Sequence, residues 1–201
     1  MNRLRHLLLL ICVALSLSAC SGNEPDGVIR MGLTTAPTNL DPRFATDAVS
    51  SRINRLIYRR LVEFDPTGMP VPSIASWSRI SPVHYRFTLQ QQGRSYHHRE
   101  RLLAADVKAT FDSILDPATG SPHRSTIEVI RRITTTGDDQ VDFYLERPDS
   151  LFPGYLSIGI LPAALITQGH PFSSRPVGSG PFRFDSWPQE GVLRLTRIRD
   201  Q

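Results

Sequence analysis

Apolar and polar residues alternate from Val83 to Leu89 in "VHYRFTLQ", which predicts a half-buried strand ended near Gly93. A different period governs the stretch from Ala48. There Ile53, Leu56, Ile57 and Leu61 recur at helical spacing, with Ser50 or Ser51 as candidate N-cap. "LLAADVKATFDSIL" sets Val107, Phe111, Ile114 and Leu115 on one helical face. Asp106 near its beginning reads as a helix-start residue, because a carboxylate there suits the dipole and meets free backbone amides. Near the front, "VIRMGL" over Val28 to Leu33 predicts a strand that runs into the proline- and aspartate-rich loop "TTAPTNLDP".

Turn chemistry divides the remainder. "DPTG" is a strong turn signal, and the two prolines after it favour an extended path. "TIEVIRRITTTGDDQVDFYLERPD" predicts two strands about a "GDD" turn, the second from Val141 to Leu145. "SLFPGYLSIGILPAALI" is apolar, but Pro153 and Pro162 interrupt it, so short packed pieces are predicted in place of a membrane span. After "PVGSGPFRF", "WPQEGVLRLTRI" predicts a turn and another alternating strand.

The first residues change the picture from a plain domain to an exported one. Arg3 and Arg5 precede an apolar run from Leu7 to Leu17, the order of a secretory signal. That run falls short of the ~20 residues a membrane-spanning helix needs. Leu17, Ser18, Ala19 and Cys20 resemble the bacterial lipoprotein signal, in which the cysteine becomes the lipidated first residue. The reading is therefore a signal over 1–19, lipidation at Cys20 and a tether over 20–27. Ordinary signal cleavage beside an incidental cysteine is the alternative.

Composition excludes several classes. Of the two cysteines, Cys12 lies inside the signal and Cys20 at its end as the anchor, so the mature domain has no thiol for a disulfide or a thiolate metal site. The net charge of +4 includes Arg3 and Arg5. Without them it is too mild to argue for nucleic acid or an acidic membrane as partner.

Arg52, Arg55, Arg59 and Arg60 fall mostly opposite the apolar face of the helix from Ala48 and read as a solvated stripe. His97, His98 and Glu100 in "YHHRERL" match no compact zinc spacing and read as surface or loop residues. No G-x-S-x-G elbow is present, and Asp138 and Asp139 sit in a turn where a raised pKa for acid or base work is not expected. Gly178 and Gly180 in "GSG" are followed by Pro181 and a strand pattern, whereas a phosphate cradle needs amides and a helix start. They read as turn residues. No catalytic site, metal or cofactor is predicted.

The order of these pieces carries a resemblance. A lipoprotein signal, a strand entering "TTAPTNLDP", "LIYRRLVEFDPTGMPVPSIASW", "HYRFTLQQQGRSYHHRERLLAADVKATFDSIL" and "PVGSGPFRF" together resemble the extracytoplasmic solute-binding proteins of ABC importers, family 5, the peptide- and nickel-binding group. The resemblance covers essentially the whole mature chain. It implies an α/β fold like the type II periplasmic binding proteins, comprising a first lobe with an inserted α+β domain. Segment 28–49 would be the first piece of lobe one, 50–172 the inserted domain and 173–201 an incomplete return into lobe one. The chain stops directly after a strand, so truncation before the second lobe is expected.

The same resemblance implies a non-catalytic, monomeric receptor in the periplasmic space, anchored through lipid on Cys20. It would take a peptide or other small solute and pass it to ABC permease subunits. Thr35, Ala36, Pro37, Thr38 and Asn39 match the loop that approaches ligand in the family, presenting backbone groups to an extended peptide. A plain surface loop is the other reading of these five residues. A periplasmic hydrolase and an envelope lipoprotein without ligand are the rival functions. One departure stands out: members commonly show an aromatic, His, Asp and Gly before the helix, where this chain has Tyr96, His97, His98 and Arg99. The tight turn expected there must be built differently.

Overall fold

Tyr85, Phe87 and Leu89 are buried while His84, Arg86 and Thr88 point to the other side, and this alternation builds the central sheet. The computed structural model describes residues 28–189 and 191–198. The signal, Cys20 and the whole of the tether lie outside the described residues. Two compact units are distinguished, residues 1–34 and residues 35–201. In the first, residues 28–34 contain no helix or strand, and Val28, Ile29 and Met31 are exposed. The strand predicted over Val28–Leu33 is therefore not formed.

The second unit begins its regular structure with helix α1, Ala48–Ile57. Its N-cap is Asp47, and neither Ser50 nor Ser51: the Asp47 carboxylate accepts from the Ser50 amide at 2.8 Å. Leu61 lies beyond the helix and is fully buried just before β1, Val62–Phe64. β1 pairs antiparallel with β2, Pro70–Pro72, across the predicted "DPTG" turn, where Gly68 N–H reaches the Asp65 carbonyl at 3.0 Å. Both prolines fit because β2 is an edge strand.

The main sheet has four antiparallel strands in the order β3, β4, β6, β5. These are β3 Ala75–Ser81, β4 His84–Leu89, β5 Ile130–Thr136 and β6 Gln140–Leu145. Helix α2, Ala104–Leu115, covers one face with Val107, Phe111 and Ile114. Phe111 meets Phe143 edge-on at 5.7 Å between ring centres, and Phe143 in turn meets Phe87 at 5.5 Å. Phe143 is completely buried, so its truncation to alanine would cost about 3–5 kcal/mol.

The opposite face of the sheet carries a polar cluster. Asp142 is buried there and takes His84 Nε2 at 2.6 Å and Arg86 Nε at 2.9 Å. Burial pushes its carboxyl up, but the hydrogen bonds from Arg86 and His84 outweigh this and leave it below the usual range. Arg132 stacks over Tyr144 at 4.2 Å and closes the cluster on the β5 side.

Short pieces complete the unit: α3 Arg124–Ile127, α4 Phe152–Tyr155 and α5 Ala163–Thr167. No described helix is long and apolar enough to cross a membrane. The segment entering α5 is tied to α2. Asp106 accepts from Leu103 N–H at 2.8 Å and from Ala163 N–H at 2.7 Å, so it both starts its helix and holds a neighbour. Burial raises the Asp106 carboxyl above the usual range, against the pull of these two amides. The chain ends its regular structure in the hairpin β7 Phe182–Gln189 and β8 Val192–Arg197.

Candidate functional site

The loop before α1 is held by side chains of the helix it enters. Ser50 Oγ accepts from the backbone N–H of Thr38 at 2.9 Å and of Asn39 at 3.1 Å. Thr38 Oγ1 donates to Asp47 at 2.6 Å. Ser50 thus anchors the loop, which is why Asp47 caps the helix in its place. The Ser50 hydroxyl, its amide and the Thr38 hydroxyl hold the Asp47 carboxyl far below the usual carboxylate range.

Of the five loop residues singled out in the sequence, Thr35, Ala36 and Thr38 are exposed, while Pro37 and Asn39 are half-buried. The backbone N–H groups of Thr38 and Asn39 are engaged inside the protein. Thr35 and Ala36 form the exposed part of the loop. Asn39 Oδ1 then accepts from Asp41 N–H at 2.8 Å, turning the chain inward. Asp41 is nearly buried and forms an ion pair with Arg43 at 2.7 Å, whose guanidinium lies over Phe172 at 5.5 Å.

Beyond that turn the chain docks on the segment after α2. Ser121 Oγ donates to the Arg43 carbonyl at 2.6 Å, and His123 Nε2 reaches the Ala45 carbonyl at 3.1 Å. Burial lowers the His123 pKa against that hydrogen bond. Pro42, Ala45, Asn54, Arg60, His123 and Gly159 are among the residues around a cleft of about 270 Å³. Asn54 is 2% exposed, and neither its Oδ1 nor its Nδ2 has a hydrogen-bond partner. Arg60 Nε is likewise buried without one, and the nearest carboxylate, Glu63, stands at 3.8 Å. Sequence reasoning passed over Asn54. The available signal was an amide one position after Ile53, on the face of α1 that also buries Ser50 and Ile57.

The predicted arginine stripe divides. Arg52 and Arg55 are exposed as expected. Arg59 and Arg60 are partly buried, because the helix ends at Ile57 and the chain turns back into the protein. Arg59 Nε donates to the Ser179 carbonyl at 3.3 Å, which introduces the glycine-rich stretch.

"GSG" packs against the end of α1. Gly180 N–H donates to the Ile57 carbonyl at 2.7 Å, and His97 N–H donates to the Gly178 carbonyl at 2.8 Å. His97 Nε2 also reaches the Gly180 carbonyl at 3.0 Å. His97 is accordingly half-buried and not a surface residue, and burial lowers its pKa. Neither Gly178 nor Gly180 has a positive φ. Both are close-approach residues, since a Cβ on Gly178 would lie 2.0 Å from the Ile57 carbonyl oxygen, and Gly180 also stands at the bend that leads into β7. The departure at Tyr96–Arg99 is also explained: Arg99 takes φ +73°, the left-handed region that glycine fills more easily. His98 Nε2 pairs with Glu100 at 3.0 Å on the surface. Among the described residues no group of three or more His, Cys, Asp or Glu is gathered to hold a metal.

Residues 70–200 match the model for bacterial extracellular solute-binding proteins, family 5. The chain is 32% identical to the probable di/tripeptide-binding protein 5 of Pseudomonas aeruginosa, over 90% of this chain and 38% of that protein. It superposes on AgaA of A. tumefaciens R10, solved in complex with agropinic acid, with TM-score 0.75 and 28% identity, over 83% of this chain and 35% of the other. The oligopeptide-binding protein AppA of Bacillus subtilis, solved with a nonapeptide, gives TM-score 0.76 at 24% identity, over 83% and 35%. The chain therefore spans somewhat more than a third of the relatives it matches. The described fold corresponds to part of a type II periplasmic binding protein.

Proposed function

We propose, since this chain belongs to the bacterial extracellular solute-binding proteins of family 5, that it captures a peptide or similar small solute outside the cytoplasm for an ABC permease. The observation that carries the reading is the family match over residues 70–200, joined to a relative named for di- and tripeptide binding. The relatives found are binding proteins and not enzymes.

The mechanism follows from differential contact. Solute contacts made only when two lobes close shift the equilibrium towards the closed form, which the permease then meets. Segment 28–49 would open lobe one, 50–172 would form the inserted domain and 173–201 would return to lobe one. Thr35 and Ala36 supply the exposed backbone edge of the ligand-facing loop, with Pro37, Thr38 and Asn39 setting its course. Lipid on Cys20 would hold the protein, as a monomer, at a membrane of the periplasmic space.

Uptake of labelled di- and tripeptides by the producing bacterium, with and without the gene, tests the reading. Loss of uptake on deletion, with peptides left intact by the purified chain, is expected. Unchanged uptake, or hydrolysis of the peptides, would overturn it. For the anchor, labelling with a fatty-acid analogue should vanish in Cys20→Ala and persist in Cys12→Ala; equal labelling of both refutes the processing.

A further inference from the structure

We propose that Ser50 and Asp47 are positioning residues for solute capture: acting through the loop at 35–39, they fix the backbone that Thr35 and Ala36 offer to a peptide. The role rests on the peptide reading above and adds to it two residues outside the loop.

The hydrogen bonds leave the loop little choice of course. Ser50 is fully buried, and its Oγ takes both the Thr38 N–H at 2.9 Å and the Asn39 N–H at 3.1 Å. Successive N–H groups of an extended chain point to opposite sides, so one oxygen that holds both fixes a bend. The chain does bend at Thr38. Asp47 adds a further tie, since one of its carboxylate oxygens takes the Thr38 hydroxyl at 2.6 Å while the other takes the Ser50 amide at 2.8 Å. Three ties thus converge on residues 38 and 39.

What they leave open selects the contact. Thr38 and Asn39 have committed their N–H groups inside the protein and Pro37 has none, so the donors that remain in this loop are those of Thr35 and Ala36. Both residues are exposed. No helix or strand precedes them from residue 28 onward, and the nearest fixed points are the ties at 38 and 39. Those ties stand on a stiff element. Asp47 and Ser50 begin α1, which buries Ile53 and Ile57 and whose Ile57 carbonyl is held by Gly180 N–H at 2.7 Å. A loop referenced to such a frame meets solute in one conformation and loses less entropy on binding. Without Ser50 Oγ, apparent affinity falls with the fraction of molecules that still hold the bend.

Uptake of labelled dialanine and trialanine by the gene-deleted bacterium, complemented with the parent or a variant gene, tests the role. In Ser50→Ala the half-saturating concentration is expected to rise about tenfold, with maximal rate and amount of protein unchanged. A merely structural role would lower the maximal rate together with the amount of protein and leave half-saturation in place. Asp47→Asn keeps a helix cap and a weaker acceptor for Thr38 Oγ1, so a rise of about threefold is expected; it carries the test where Ser50→Ala accumulates poorly. In the purified chain, hydrogen exchange at the Thr38 and Asn39 amides should quicken about tenfold or more in Ser50→Ala, while the Gly180 amide at the far end of α1 keeps its protection. Unchanged half-saturation in gene-dependent uptake, or unchanged exchange at both amides, overturns the role and leaves the peptide reading standing. Uptake of both peptides that does not depend on the gene overturns the peptide reading and the role with it.

Discussion

Gly178 lies so close to Ile57 that a β-carbon on it would stand 2.0 Å from the Ile57 carbonyl oxygen and 2.7 Å from the carbonyl carbon. Those atoms are backbone at a helix end and cannot swing aside as a side-chain tip would. Gly178→Ala is expected to destabilise the protein by about 3 kcal/mol, the upper part of the overpacking range. Urea unfolding of the two chains measures it; a midpoint shift within error of zero would mean the contact is looser than described.

Arg99 holds a left-handed conformation at φ +73° in the turn that returns Tyr96 to Glu100. For a residue with a β-carbon this costs about 1–2 kcal/mol, and glycine recovers part of it while losing some chain stiffness. Arg99→Gly should therefore raise stability by about 1 kcal/mol. Thermal unfolding at constant pH reports the change, and a lowered melting temperature would contradict it.

Arg94 is buried to the point that its side chain has no exposure, and its guanidinium meets Asp139 across the sheet end. The hydrogen bonds from Gln91 and Arg94 hold the Asp139 carboxyl below the usual range. Asp139→Asn leaves the buried Arg94 cation without its counter-charge and should lower the urea midpoint. Asp139→Asn combined with Arg94→Met should recover much of the loss, because the uncompensated charge is removed with its partner. Failure of the double variant to recover would assign the cost to the turn and not to the ion pair.

His97 links pH to the contact between "YHHRE" and "GSG". Its pKa in the folded chain lies below the ordinary 6.5, chiefly through burial, so the unfolded chain binds the proton more readily. Stability is present in full above about pH 6.5 and is lost as pH falls through that value towards the folded pKa. His123 shifts in the same direction and adds to the slope. His97→Gln keeps an N–H donor but cannot titrate, so urea midpoints should fall less on acidification than in the parent chain. An identical slope in both would remove His97 from the account.

Periodic residues made most of the fold legible. Val107, Phe111 and Ile114 identify α2, and the alternation from Val83 to Leu89 identifies β4, because each pattern is a burial pattern written directly in the chain. β3 carries no such pattern: in Ala75–Ser81 only Ala75 is buried, and the largely polar remainder does not alternate. What the sequence concealed was contact between distant backbones. Nothing local to "GSG" marks Ile57 as its neighbour, and a glycine chosen for close approach looks the same as one chosen for a turn. The same holds at the candidate site. Thr35 to Asn39 were singled out by family resemblance, whereas Ser50, which the sequence offers as a helix cap, shows its hold on the loop only when Thr38 and Asn39 are seen against it.

The excursion from Arg60 to Gly159 leaves and rejoins the unit at one place. Arg60 bridges to Gly159, Ile160 N–H reaches the Arg59 carbonyl at 3.0 Å, and Gly180 N–H reaches the Ile57 carbonyl at 2.7 Å. A tension applied between residues 35 and 198 would thus pass from α1 straight across these hydrogen bonds into the 178–182 stretch. Ser121 and His123, which hold the Arg43 and Ala45 carbonyls, and His97, which holds the Gly178 carbonyl, share that load, so these few backbone contacts form the seam at which tension on the two ends is carried.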